Sequence, residues 1–412
     1  MNILVLSPYP PYPPHGGGTM RIYQLLRGLS RRHTVTCLTF APSMAAEHAL
    51  APLQRICRVI PVPGPHPRSM AQRAWTTLTS ALPDMALRNA DVRYRVALRG
   101  LLATEHFDVI QAESIEMAAY LPEQAAHTAR NAGSTLILDQ FNAEYLIQKR
   151  AFWADARTPR RWHAAAYSLV QWRKLLRYEA QVMRRCNAVL AVSEDDCQTL
   201  AQLVPGMTIG LVPNGVDTTS FSRTALAATR EGMLVFGAPT LVFSGTLDYR
   251  PNVDALVWFA SEVLPLLRTH YPNLRLLAVG KRPAPAVQQL ARDGILVLTG
   301  EVADARPFIA GASVYVVPMR IGGGVRLKLL EALALEAPVV STHMGAEGVI
   351  GLQHGTHCLL ADRPNDFAAA VLQLLDDPLL GRQLAAAGRA LVAAHYDWEM
   401  IIPRIEACYE RR

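Results

Sequence analysis

Residues 320–342 read RIGGGVRLKLLEALALEAPVVST, three glycines running into a helix-forming segment and then a short valine-rich run. Just upstream, 313–317 is a compact β-prone stretch, so the order is strand, glycine loop, helix, strand. The same order continues outward in both directions. Short β-rich runs alternate with longer helical patterns almost from end to end, the signature of parallel sheets covered by helices. Strands are expected at 2–7, 34–40, 57–61, 108–111, 135–139, 188–193 and 209–213. A second series is expected at 240–244, 275–279, 295–299, 313–317, 338–341 and 357–360. Between the series, 214–239 has turn residues and no clear strand and reads as a linker. The organisation predicted is therefore domain 1–213, linker 214–239, domain 240–394 and an amphipathic helix within 395–412.

A chain of 412 residues, 50% of them apolar, can bury more than one core. No apolar run approaches the roughly 20 residues of a membrane-spanning helix. MNILVLSPYP lacks a basic leader and reads as a buried first strand rather than a signal that is cleaved off. Six cysteines without a Cys-x-x-Cys pair support neither a disulfide framework nor a zinc site, which fits a reducing cytoplasm. The net charge of +7 is modest, and no nucleic-acid partner is expected. Charge is local: between Tyr145 and Leu190 ten Lys/Arg face two acids, interleaved with Phe152, Trp153, Trp162 and Trp172. Such a segment is either a solvated face over a core stripe or a surface that docks on anionic lipid or an acidic ligand.

Ligands of open parallel sheets sit beyond the carboxyl ends of the strands. Three loops there are glycine-punctuated: PHGGGTMR (14–21), SGTLDYRPN (244–252) and MRIGGGVRLK (319–328). Glycine lets backbone approach a ligand, and the amides and dipole of the following helix favour an anion. Three such loops point to a phosphorylated ligand held between two domains. Gly16 and Gly17, Thr246 and Arg250, and Gly322, Gly323 and Gly324 are the candidate contacts. The first loop is not G-x-G-x-x-G and no acid ends the second strand, which disfavours a dinucleotide dehydrogenase. On a helix expected from about Val325, Lys328 and Glu331 share a face, with Arg326 nearby. The pattern suits cations at a diphosphate and a carboxylate at ribose hydroxyls; it also suits a surface ion pair.

At these residues the chain resembles the retaining glycosyltransferases of family 4. The matching pieces are LAVSEDD (190–196), LVPNGVDTTSF (211–221), LVFSGTLDYRPNVDALVWF (241–259), LTGEVADARPFIAGASVYVVP (298–318), GGGVRLKLLEALALEAPVVSTHMGAEGV (322–349) and YDWE (396–399), in family order. The resemblance implies an α/β GT-B fold, two facing Rossmann-like domains with parallel sheets and a C-terminal helix crossing back to the first. It also implies a nucleotide-diphosphate sugar as co-substrate and a hydroxyl acceptor on a glycan, a lipid-linked sugar or a small molecule.

Position by position, Glu331 matches the second glutamate of the family's Glu-seven-residues-Glu motif; the first falls at Gly323, similar to a glycine-rich branch. Thr246 stands at the usual arginine of G-R-L, so phosphate binding passes to Lys328, Arg326 or Arg250, the last of which can instead cap a turn before Pro251. Phe141 replaces an expected histidine, leaving Asp139, Asn142 and Glu144 as polar candidates. Asn142 is the one assigned chemistry, with capping a helix from Ala143 as its alternative. No Asp-x-Asp pair occurs, so no metal is expected, and Lys328, Arg326 and helix amides are the charges available to a leaving diphosphate. The implied reaction retains configuration, with the departing phosphate oxygen taking the acceptor's proton. The expected location is cytoplasmic, including the inner membrane face if 145–190 docks. The alternative is an inactive sugar-nucleotide-binding or scaffold protein of the same fold.

Overall fold

The computed structural model describes residues 1–14, 16–122, 131, 133–157, 161–229, 232, 234–322 and 324–410. They form two compact units, Met1–Pro213 with Ile401–Arg412, and Asn214–Met400.

The first unit carries a seven-stranded sheet: β1 Asn2–Ser7, β2 Thr34–Ala41, β3 Arg58–Pro63, β4 Val109–Glu113, β5 Thr135–Gln140, β6 Ala188–Ala191 and β7 Ile209–Leu211. Its order is β3-β2-β1-β4-β5-β6-β7, and neighbours are parallel, with Ile3 opposite both Val35 and Val109. Burial follows position. Central β4 and β5 are buried throughout, whereas β7 at one edge is only half-buried. Strands covered on both faces need continuous apolar runs, which is why the series was legible.

The second unit holds β8 Thr240–Ser244, β9 Arg275–Val279, β10 Val297–Leu298, β11 Val314–Val317, β12 Val339–Ser341 and β13 Leu359–Leu360, in the order β10-β9-β8-β11-β12-β13. All thirteen expected strands are present. The two edge strands of this sheet are only two residues each. The stretch 214–239 lies within this unit. Helix Arg223–Ala227 forms there, and Val216 and Leu226 are buried in the unit's core.

Helix Trp398–Glu410 joins the first unit from Ile401 onward. Ile402 seats on Gly28, where a β-carbon would come within 2.4 Å of it, and the Tyr409 hydroxyl donates to Gln111 Oε1 at 2.6 Å. Residues 145–190 fold mainly as helices Glu144–Ala156 and Trp162–Met183. Their aromatics divide: Phe152 stacks on Trp172, while Trp153 and Trp162 are exposed. Among the described residues no helix is long and apolar enough to cross a membrane.

In each unit the winding reverses once, between β1 and β4 and between β8 and β11. Strand carboxyl ends beside such a reversal open a crevice for ligand.

Candidate functional site

In the second unit, the loops leaving β8 and β11 bring Gly245, Asn252, Lys328 and Arg326 together. Helix Leu327–Ala334 starts two residues later than the sequence suggests, with Arg326 as its N-cap residue. Lys328 projects from the first turn; its Nζ lies 2.8 Å from Asn252 Oδ1 and 3.9 Å from the centroid of the Phe243 ring. Gly245 permits this, since it holds φ +142° and a β-carbon there would stand 3.0 Å from Nζ.

Lys328 and Glu331 are half-buried as residues, with their charged ends packed round by protein. Loss of solvent pulls the Lys328 ammonium down from 10.5 to about 7, opposed by Glu331 and assisted by Arg326. Burial likewise pushes the Glu331 carboxyl up, against the pull of Lys328. Glu331 also raises the Tyr315 hydroxyl, which burial has already displaced upward and which bonds Ser244 Oγ at 2.6 Å. The pair is thus an inward-facing cation and carboxylate a turn apart, not an exposed surface bridge.

Arg326 is turned back on its own loop. Its Nη1 donates to Gly324 O at 2.7 Å, and its guanidinium covers Gly322 so closely that a β-carbon there would lie 2.5 Å from Nη2. Placing Arg326 on the helix beside Lys328 is corrected accordingly: it precedes the helix and clasps the glycines. Gly323 lies outside the described residues. Thr246 contributes its carbonyl, which accepts from Asn252 Nδ2 at 2.8 Å. Arg250 is exposed as the first residue of helix Arg250–Trp258. Asn252 was not singled out by the sequence reading. Its only local signal is an Asn after Pro251 at a helix start, and its partner Lys328 is 76 positions away.

The first unit gathers a separate polar cluster at the carboxyl ends of β1, β4 and β5. Gly16 and Gly17 are exposed at the start of helix Gly17–Leu29, where the Gly16 amide donates to Thr19 Oγ1 at 2.9 Å. The close approach falls on Gly18, whose missing side chain leaves room for the Tyr9 hydroxyl and the Phe141 ring. Asp139 is bound by Arg21 through bonds of 2.7 and 2.8 Å. Asn142 does not cap: helix Glu144–Ala156 has Ala143 at its N-cap without a side-chain bond. Instead Asn142 Nδ2 donates to Glu144 Oε1 at 3.2 Å. Burial raises Glu144 to about 7, the Asn142 bond holding it back in part. Glu113, unremarked in the sequence, is buried, accepts from Gln111 at 2.6 Å, and is pushed well above the usual carboxylate range by burial and by Asp139. Among the described residues no three His, Cys, Asp or Glu side chains group as a metal-holding set.

Comparison with known proteins accords with this layout. A family model described as Glycosyltransferase Family 4 matches residues 15–220, and one described as Glycosyl transferases group 1 matches residues 238–377. The chain is 27% identical over 258 residues to a phosphatidyl-myo-inositol mannosyltransferase of Propionibacterium freudenreichii, the match taking in 60% of this chain and 62% of that one. It therefore spans about three fifths of that relative's length. An uncharacterized 44.6 kDa protein in the cps region of Klebsiella pneumoniae is 22% identical, with 98% of both chains covered. Among solved structures, Anabaena Alr3699/HepE in complex with UDP superposes with TM-score 0.68 at 14% identity, covering 99% of each chain, a likeness of fold.

Proposed function

Because the chain belongs to glycosyltransferase family 4, we propose that it moves a sugar from a nucleotide-diphosphate donor to a hydroxyl acceptor, with retention of configuration and without a metal. The observation that carries this reading is the placement of Lys328 and Glu331 one turn apart on helix Leu327–Ala334, which follows β11 beside the β8–β11 reversal. A neighbour bound to UDP and a relative named as a phosphatidyl-myo-inositol mannosyltransferase support a nucleotide donor and admit a lipid acceptor.

In this scheme Lys328, with the amides of its helix start, stabilises the negative charge that grows on the diphosphate. Glu331 accepts from the ribose hydroxyls. Arg326 and the glycines of its loop are assigned to the phosphates, and Thr246, Arg250, Gly16 and Gly17 are assigned to donor binding. The bond from the anomeric carbon to the phosphate oxygen breaks, a bond to the acceptor oxygen forms on the same face, and the acceptor's proton passes to the departing phosphate oxygen. Asn142 is assigned as the catalytic polar group of the first unit.

Contact with an anionic bilayer on the cytoplasmic side belongs to the same reading. Trp153 and Trp162 are exposed among the basic residues of 145–190. Lys174 Nζ ties in helix Met70–Thr79 by bonding Thr77 O at 2.7 Å, and that helix buries none of its residues while exposing Met70, Trp75 and Leu78.

The test is a panel of UDP-, GDP-, ADP- and TDP-sugars with chelator, measured on the wild type, Lys328→Ala and Glu331→Ala. Nucleotide release lost in both variants is the expected result; donor binding without turnover for any acceptor extract would establish the inactive binding protein instead. Flotation with phosphatidylglycerol vesicles, reduced by Trp153→Ser with Trp162→Ser, tests the membrane contact.

A further inference from the structure

The Lys328 ammonium sits in a seat where, among the described residues, Asn252 is its side-chain hydrogen-bond acceptor. We propose that Asn252 is the positioning residue of the donor site: it seats Lys328 through a neutral hydrogen bond that aims the ammonium while leaving its charge for the diphosphate. This rests on the reading of Lys328 given above.

The geometry allows the Asn252 amide a single orientation. An ammonium has donors and no acceptor, so the side chain must present Oδ1 to Nζ, at 2.8 Å. Its Nδ2 then reaches the Thr246 carbonyl, also at 2.8 Å. Flipping the amide would set N–H against ammonium and oxygen against carbonyl, two repulsive contacts. Asn252 is 5% exposed, so neither bond can be handed to solvent. The lower wall of the seat is the Phe243 ring, and its side is Gly245, where a β-carbon would meet both Asn252 Nδ2 and Nζ.

The residue type matters as much as its place. An aspartate would fit the same volume, but it would cancel the lysine's charge and lose the donor to Thr246 O. Among the described residues, the other charged groups acting on Lys328 are Glu331 and Arg326, flanking it in sequence, and the Tyr315 hydroxyl of β11, engaged with Ser244, faces Glu331. Glu331 and Arg326 act in opposite senses. A neutral third partner therefore sets how much positive charge meets an arriving anion. Thr246, standing where the resembled family has arginine, supplies the carbonyl that locks Asn252, so the same loop that lacks the arginine holds the lysine.

The test reads Lys328 directly. Isotope-labelled lysine is followed by NMR across pH, with the Lys328 signal assigned by its loss in Lys328→Met. Affinity for UDP and GDP is measured in parallel at pH 6 and pH 8. Asn252→Ala removes an acceptor that favours the charged form, so the Lys328 midpoint should fall by about one unit. Nucleotide affinity then drops about tenfold at pH 8 and much less at pH 6. Asn252→Asp, nearly isosteric and the variant to rely on if the alanine fails to fold, should raise the midpoint by about one unit or more. It should also weaken nucleotide binding about tenfold at both pH values. An ordinary structural asparagine would change only the melting temperature, and an unmoved Lys328 midpoint in both variants overturns the proposal. If the midpoints move as described but neither nucleotide binds the wild type, the seat stands and the diphosphate reading of Lys328 is what fails.

Discussion

Arg21 and Asp139 face each other through two hydrogen bonds, Nε to Oδ2 at 2.7 Å and Nη2 to Oδ1 at 2.8 Å, with side chains 1% and 0% exposed. The bridge joins helix Gly17–Leu29 to β5, and Arg21 Nη1 also donates to Pro213 O at 3.1 Å. Removing one partner strands a buried charge, and Asp139 left alone would lie beside Glu113. Arg21→Met should therefore cost about 3–5 kcal/mol in urea unfolding. Arg32→Ala, which breaks a bridge to Glu406 at an arginine 63% exposed, should cost under about 1 kcal/mol. Equal losses would show that burial does not govern these pairs.

Lys328→Met should trade activity for stability. The folded value near 7 lies below the ordinary lysine value of 10.5, so the native state resists the proton that the unfolded chain accepts. The penalty is full below about pH 7 and is relieved as pH rises toward the unfolded value. The methionine variant should gain about 1–3 kcal/mol at pH 6, with the gain gone near pH 11, and should lose at least about a hundredfold in donor turnover. Thermal melts at the two pH values check the sign; a loss of stability at pH 6 contradicts it.

Glu331→Gln removes a carboxylate that favours the charged form of Lys328. The alkaline limb of kcat/KM should move to lower pH, and turnover at pH 7.5 should fall about a hundredfold. Unchanged limbs would mean that the carboxylate does not act on the lysine.

Glu144→Gln tests the first unit. The folded carboxyl titrates near 7 against an ordinary 4.5, so stability is lost as pH rises between those values and the penalty is complete above them. Glutamine mimics the protonated acid and can keep a contact with Asn142. Melts should show the variant more stable by about 1–3 kcal/mol at pH 8 and equal to wild type at pH 4.5.

Two glycines should respond in opposite directions to alanine. Gly322 holds φ +143° under the Arg326 guanidinium, so Gly322→Ala should destabilise by about 1–3 kcal/mol. Gly100 lies inside helix Val92–Thr104 with nothing within 4 Å of an added β-carbon, so Gly100→Ala should stabilise by about 0.5–1 kcal/mol. Denaturant midpoints distinguish them.

The candidate site was legible where its residues are neighbours in sequence. Lys328 and Glu331 stand one helical turn apart behind a glycine loop, and that spacing alone places them on one face. Asn142 and Glu144 stand out in the sequence as polar candidates, but whether they cap a helix depends on where that helix begins; Ala143 is its N-cap residue, and its amide donates to Asp196 Oδ1 at 3.2 Å. Arg326, too, looked helical by position, and only the backbone turn at Gly322 and Gly324 shows it folded onto the loop.

What the sequence determined by itself is the succession of strands and helices and the two sheets, because strands buried on both faces must be written as local apolar runs and their connections as helical periods. What tertiary structure alone decided is which polar groups are partners: Lys328 with Asn252, Arg21 with Asp139, and Glu113 beside Asp139 on the neighbouring strand. The reason is physical. Periodicity is recorded residue by residue along the chain, whereas the desolvation that sets a charge, and the acceptor that answers it, come from segments joined only when the sheet closes.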